Sequence, residues 1–486
     1  MTILSRLLTQ SACILLLSVL SLTGFAQRTL QQRTDSVAAL TKKYVNEKDA
    51  EKLYDLTAQD FKNAIKKEEF INVTQKSLFP LGELKEIIFE RNADGVILYK
   101  GIFATKPMTL AIGLGDGDKV STFFFRQYIA PRAGVEKIPH NNPLKTEQDK
   151  IVDSIVRTYL QQAGTEGASI GILKNGTTWF YGYGEADKTK HNIPASNTLF
   201  ELGSISKTIT ATIVALAIGE GKVKLDDPVN KYLPDSIPSL EFNGCVVTIK
   251  DLLNHTSALP RMPADFKDER IDENGTIIYP IEKFFGWLKH LKLTREPGLK
   301  SEYSNAGFAL ASTIMQRTYN MSYEEMVQKF IAHPMGMKNI RIDIRQQDSA
   351  AYAKGYDEDG SYHFPRNLPP IYQGAGGLRS NAADMLKYAK AQWDAPNKKL
   401  EKAIQLTHDT TFSDKNFHIG MAWVLLKYGK LNALFHNGAS GGFRSYLGVA
   451  PEKKVAVVIL VNSTVGADKQ GAMLLQRLTT ADLTKP

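Results

Sequence analysis

Two cysteines in 486 residues leave almost nothing to cross-link with. Cys13 sits inside an N-terminal apolar run, so Cys245 stands alone in a processed chain and no internal disulfide is expected. The fold must then rest on its core, and a chain of 486 residues is long enough for two domains. Beyond the N-terminal run, no segment approaches the ~18 unbroken apolar residues of a membrane span. The nine histidines form no HExxH and no close pair, so neither a metal nor another cofactor is expected. No repeat period and no low-complexity tract interrupts the chain. The net charge of +9 is spread out, without interleaved aromatic and basic residues, which argues against a nucleic-acid partner.

The apolar run itself, MTILSRLLTQSACILLLSVLSLTGFAQ, carries one arginine, then the hydrophobic stretch, then small residues at Gly24 and Ala26. That is the order of a secretory signal peptide cut after Ala26. The expectation is a secreted or periplasmic protein with no stable membrane span after signal removal; a retained anchor helix is the rival reading.

Residues 27–130 read as helices followed by strands. TDSVAALTKKYV, AEKLYDLTAQDFKNAI and EEFINVTQKSLF each space apolar residues as a helix does. ELKEIIFER, GVILYKGIF, MTLAIGL and KVSTFFFRQYI are extended stretches parted by turn formers, Asp116-Gly117-Asp118 among them. Three helices and a four-strand meander make an α+β unit. Its pattern resembles the small NTF2-like domains found ahead of exported enzymes. The proline-rich stretch over 131–144 reads as a linker.

From 145 to 486 the reading is continuous. KTEQDKIVDSIVRTYLQQAG is an amphipathic helix, and ASIGILKNGTTWFYGYG is a hairpin around Asn175-Gly176. Helical material fills the middle, and FRSYLGVA and KKVAVVILVN form a second hairpin near the end, followed by a terminal helix. One antiparallel sheet built from both ends, packed against helices, is the expected architecture.

Within ELGSISKTITATIVALAIGEG, Ser204 and Lys207 stand three apart at the start of a helix otherwise made for burial. Residues at that spacing share a face, with roughly 5–6 Å between Cβ atoms. A serine hydroxyl is a weak nucleophile until a base takes its proton, and a lysine with a depressed pKa can be that base. An N-cap serine beside a solvated lysine is the bland alternative. Two further stretches weigh against it. Tyr303-Ser304-Asn305 opens a helix after a Pro-Gly loop; the phenol can ionise or relay a proton, and the Asn305 amide can hold lysine and substrate. His436-Asn437-Gly438 precedes a strand, where Gly438 would let a substrate backbone lie close and the Ala439 amide could complete an oxyanion hole.

Ser-x-x-Lys, Tyr-x-Asn and His-x-Gly in that order resemble the serine β-lactamase and penicillin-binding-protein superfamily, in its class C-like branch. KVKLDDPVNKYLP, TIKDLLNHTSALP and GAGGLRSNAADMLKYA extend the resemblance over 145–486. It implies an antiparallel sheet flanked by helices with an all-helical subdomain. It also implies acylation of Ser204 with Lys207 as base, Tyr303 as proton donor to the leaving group, and Asn305 on the acyl amide. His436 would stand for the third-motif lysine, and the Ser204 and Ala439 amides would bind the oxyanion. The implied substrates are small molecules or peptides with D-amino-acid termini, such as a peptidoglycan stem peptide, or small esters. A histidine in place of lysine, with Asn437 offering an amide for a threonine hydroxyl, argues against a dedicated β-lactamase. A non-catalytic sensor that keeps the fold is the alternative from another class. The His255-Thr256-Ser257 turn reads as structural, Gly374–Gly377 as the rim of the acyl site, and Arg444 as either a substrate-carboxylate partner or a surface residue.

Overall fold

Contacts divide the chain after Ala130, into Met1–Ala130 and Pro131–Pro486. The computed structural model describes residues 29–480 apart from 94, 129, 131, 267–270, 274, 345, 416 and 429–430; the expected signal segment, 1–26, lies outside the described residues.

In the first unit four short helices precede the strands: α1 (Leu30–Asn46), α2 (Ala50–Asp55), α3 (Gln59–Ala64) and α4 (Lys67–Val73). The sequence pattern predicts one helix where α2 and α3 stand. It breaks because the intervening backbone pairs with a strand, Val120 N donating to Leu56 O and Ala58 N to Val120 O. Strands β1 (Leu84–Ala93), β2 (Val96–Phe103), β3 (Pro107–Leu114) and β4 (Val120–Gln127) form an antiparallel meander in chain order. Alternate residues Ile97, Tyr99, Leu110, Ile112 and Phe123 face a core shared with Val37, Leu53, Phe61 and Phe70.

The second unit begins with the expected linker, which is packed rather than free. Val135 and Ile138 are buried in its core, and Asn141 exchanges hydrogen bonds with Gly182. Helix α5 (Glu147–Leu160) starts on a capping box, Thr146 and Asp149 satisfying each other's amides. Strands β5 (Ala168–Lys174) and β6 (Thr177–Tyr183) turn at Asn175-Gly176, both at positive φ as a tight hairpin requires. Further on come α6 (Ser206–Gly219) and α7 (Asn305–Tyr319), and the two-residue strand β7 (Phe200–Glu201) pairs with β8 (Arg379–Ser380). Helices α8 (Ala382–Ala391) and α9 (Lys398–His408) lead into β9 (Val424–Tyr428), β10 (Leu431–Ser440), β11 (Phe443–Ala450) and β12 (Val455–Val461), closed by α10 (Asp468–Thr480).

The last four strands, with β5, β6 and two short strands at 412–413 and 418–419, make one eight-stranded sheet. Its two ends of chain meet where β12 pairs antiparallel with β5, Val461 opposite Ala168. One face packs under α5 and α10, through Val152, Val156, Leu474 and Leu478. The other packs on α8 and the helical middle of the chain. The α+β architecture matches the expected one. β9 and β10 are missing from the sequence reading; in β10 the run His436-Asn437-Gly438 ends the apolar stretch that would otherwise mark a strand. No described helix is long and apolar enough to cross a membrane.

Candidate active site

Ser204 lies in a 3₁₀ turn, Gly203–Ile205, that runs directly into α6. Side chains three apart eclipse in such a turn, and Lys207 Nζ comes to 3.0 Å from Ser204 Oγ. The tight entry needs Gly203: its φ is +51°, and a Cβ there would come 2.6 Å from Ala439 N. Lys207 is fully buried at 0% exposure. Its Nζ also reaches Asn305 Oδ1 at 2.8 Å and the Ala375 carbonyl at 2.5 Å. Burial, with the Arg261 charge second, holds its pKa well below that of an ordinary lysine. As an ammonium, Lys207 donates to all three oxygens. As a neutral amine it keeps two hydrogens for Asn305 and Ala375, and its lone pair is left facing the Ser204 hydroxyl.

Tyr303 meets the serine from the other side. Ser304 caps α7 by accepting from Gly307 N, and this fixes Tyr303 just outside the helix, its hydroxyl donating to Ser204 Oγ at 2.5 Å. Burial raises its pKa, so the phenol keeps its proton near neutral pH. Of the two options open in the sequence, ionised or proton-bearing, the surroundings favour the second. The ring is enclosed by Lys207 Nζ at 4.9 Å, the Arg261 guanidinium at 5.0 Å and the His255 ring at 4.4 Å.

The third motif sits inside β10 rather than ahead of a strand, and its parts behave differently from expectation. His436 is 5% exposed, and burial, helped by Lys207, lowers its pKa to about 4. It is a neutral ring beside the lysine. Asn437 points away, donating to Asp468 Oδ2 at 2.7 Å, so its amide does not replace a threonine hydroxyl at the site. A Cβ on Gly438 would fall 1.9 Å from Leu202 O and 2.4 Å from Ser445 Oγ. Gly438 therefore lets β10 close on the Leu202–Ser204 turn, which is a packing need rather than room for substrate. That closure sets Ala439 against Gly203.

Ser204, Asn305 and Ala439 line one cavity of about 320 Å³. Met262, Phe266, Ile277, Leu368 and Tyr372 supply its apolar wall, with Ala375–Gly377 on its border. Glu201 and Arg379 also line it, paired at 3.1 Å across the β7–β8 ladder. Arg444 donates to the carbonyls of Ser440 and Phe443 at 2.9 and 2.8 Å, closing the β10–β11 turn instead of facing the cavity. Among the described residues no group of three His, Cys, Asp or Glu side chains is gathered to hold a metal.

Two residues outside the three motifs border the site. His255, read from the sequence as part of a structural turn, makes such loop bonds: at φ +65°, it accepts the Ser304 amide at Nδ1 (3.1 Å), beneath the Tyr303 ring. Burial, then Lys207, His436 and Arg261, push its pKa well below the usual value. The backbone carbonyl of Arg261 takes the first amides of α7, Asn305 N at 3.0 Å and Ala306 N at 3.2 Å. No spacing rule flags Arg261; only the loop's approach to α7 brings it to Tyr303.

The family model described as Beta-lactamase matches residues 152–481. A Beta-lactamase of Pseudomonas fluorescens is 27% identical over 65% of this chain and 94% of its own length. The D-alanyl-D-alanine-carboxypeptidase/endopeptidase AmpH of Escherichia coli (strain K12) is 24% identical over 64% of this chain and 83% of its own. A solved class C beta-lactamase superposes with a TM-score of 0.62 at 25% identity, covering 70% of this chain and 99% of that one.

Proposed function

The chain belongs to the beta-lactamase family and is a serine hydrolase, and from that premise we propose an exported enzyme that acts through an acyl-enzyme on peptides or amides with D-configured termini, or on small esters. The observation that carries the proposal is the setting of Lys207: buried, without a carboxylate among its pKa-shifting neighbours, and 3.0 Å from Ser204 Oγ. A lysine whose charged form is disfavoured in this way can take the serine's proton.

Ser204 Oγ bonds to the substrate carbonyl carbon as its proton passes to Lys207. The bond from carbon to the leaving nitrogen or oxygen breaks, and the Tyr303 phenol protonates the departing atom. Lys207 is then an ammonium and Tyr303 a phenolate, a pair whose charges cancel. Water attacks the ester carbon, giving its proton to Tyr303, and Lys207 returns its proton to Ser204 as the acid product leaves. The amides of Ser204 and Ala439 are the proposed oxyanion donors, and Asn305 the proposed partner of the substrate's acyl amide.

Export rests on the N-terminal signal pattern, and the helices and meander of the first unit support an NTF2-like module there. The name of the Pseudomonas relative favours β-lactams as a second reading, whereas the neutral His436, which brings no charge to a substrate carboxylate, supports amides and small esters over β-lactams. Intact-mass analysis after exposure to a fluorophosphonate or a penicillin tests the proposal. A single adduct on the native protein, lost in Ser204→Ala, is expected; an adduct that persists in that variant sinks it.

A further inference from the structure

We propose that the cavity beside Ser204 takes an uncharged, apolar acyl group, and that Gly376 admits it by leaving open the way from the nucleophile to the apolar wall. The inference deepens the acyl-enzyme reading above and rests on it. The walls decide which half of the substrate enters. Asn305, the proposed partner of the acyl amide, lines the cavity together with Ser204 and Ala439. Tyr303, the proposed acid for the leaving atom, does not line it, although its hydroxyl reaches Ser204 Oγ at 2.5 Å. The space therefore belongs to the acyl half.

The charged side chains of the wall are already matched. Glu201 pairs with Arg379 at 3.1 Å, His363 pairs with Asp357 at 2.9 Å, and Arg366 has contacts of its own. Met262, Phe266 and Leu368 of the apolar wall are only half-buried by the protein itself. Covering such surface with an apolar group is favourable, whereas a charged group would lose its hydration without a free counter-charge to replace it.

Within Gly374-Ala375-Gly376-Gly377 the glycines serve different ends. A Cβ on Gly374 would fall 2.3 Å from Ser312 Cβ, and one on Gly377 2.9 Å from Gln373 Cα, so packing demands both. Gly376 ends a short helix without a positive φ. A Cβ there would meet Leu368 Cδ1 at 3.4 Å and the Gly203 carbonyl carbon at 3.7 Å, both ordinary contacts. Neither backbone nor packing calls for glycine at this position. What the missing side chain does is leave a passage between the turn of Ser204 and Leu368, where any longer side chain would stand in the way of an acyl group.

The test compares p-nitrophenyl octanoate with p-nitrophenyl acetate in wild type, Gly376→Ala, Gly376→Leu and Leu368→Ser. The wild type is expected to favour the octanoate at least tenfold in kcat/KM, since each methylene buried is worth roughly fourfold. Gly376→Ala should keep most of that preference, Gly376→Leu should lose it through the octanoate, and Leu368→Ser should reduce it several-fold. An unchanged ratio in Gly376→Leu, or equal losses on both esters in Gly376→Leu and Leu368→Ser alike, overturns the proposal. Fluorophosphonate labelling of Ser204 separates the two layers. Labelled wild type without preference for the octanoate overturns the acyl pocket alone; wild type that is not labelled at Ser204 overturns the acyl-enzyme reading and the pocket with it.

Discussion

Arg379 and Lys207 are both buried, at 5% and 0% exposure, and both belong to the walls of one cavity or the layer just behind it. Only Arg379 has an anion. Glu201 lies 3.1 Å from it, and Tyr352 donates to the same carboxylate oxygen at 2.7 Å. Lys207 finds a hydroxyl, an amide oxygen and a backbone carbonyl instead. The pKa of Arg379 is raised and that of Lys207 lowered, although burial is the largest effect on each and pushes both down; Glu201 and Tyr352 together outweigh it for the arginine, and nothing does for the lysine. One arrangement keeps a cation as scaffold. The other turns a cation into a base. The difference lies in the partners: Glu201, placed by the register of a two-residue ladder, and Tyr352 for the arginine, none of them for the lysine.

The largest effect expected from breaking this contrast is in catalysis. Lys207→Met should slow acylation by about 10²–10⁴-fold, the usual worth of a general base. Its melting temperature at pH 7 should stay at or above the wild-type value, since burial disfavours the charged form of Lys207 and so costs the wild type stability. Acylation kinetics and a thermal melt check both halves. Next is Glu201→Gln, which strands the Arg379 charge and should cost about 3–5 kcal/mol in denaturant unfolding. If Lys207→Met loses as much stability as Glu201→Gln, the two cations are not different in kind.

The smallest effect extends the Lys207 case to other buried bases without an anion. His408 and His436 are both lowered to about 4, chiefly by burial. An unfolded histidine takes its proton near pH 6.5, so between about 6.5 and 4 the unfolded chain binds protons that the folded chain refuses. Stability must fall as pH drops through that window, by up to about 1.4 kcal/mol per pH unit for each such group. His408→Gln, remote from Ser204 in the chain, should flatten the slope of unfolding free energy against pH by about one histidine's share. Urea unfolding at several pH values measures it, and a slope unchanged in that variant would break the link.

The fold was legible where contacts are local and less so where they are not. Asn175-Gly176 marks its hairpin because the turn's positive φ angles are a property of those two residues. The break between α2 and α3 depends on a strand far downstream, and β10 is extended because its neighbours pair with it. The site divides in the same way. The motifs pick out Ser204, Lys207, Tyr303 and Asn305, since each has a side chain whose chemistry stands out at its spacing. Gly438 was picked out for a different reason from the one its packing shows, and Arg261 and the Glu201–Arg379 pair passed as ordinary loop and strand residues.

Sequence alone determined the shared helical face of Ser204 and Lys207 and the hairpins that begin and end the large sheet, because those depend on residues within a few positions of one another. Only tertiary structure decided which charges survive. Whether a lysine is a base, a histidine neutral or an arginine scaffold depends on water excluded and partners supplied from elsewhere, as with Arg379 and Glu201, 178 positions apart.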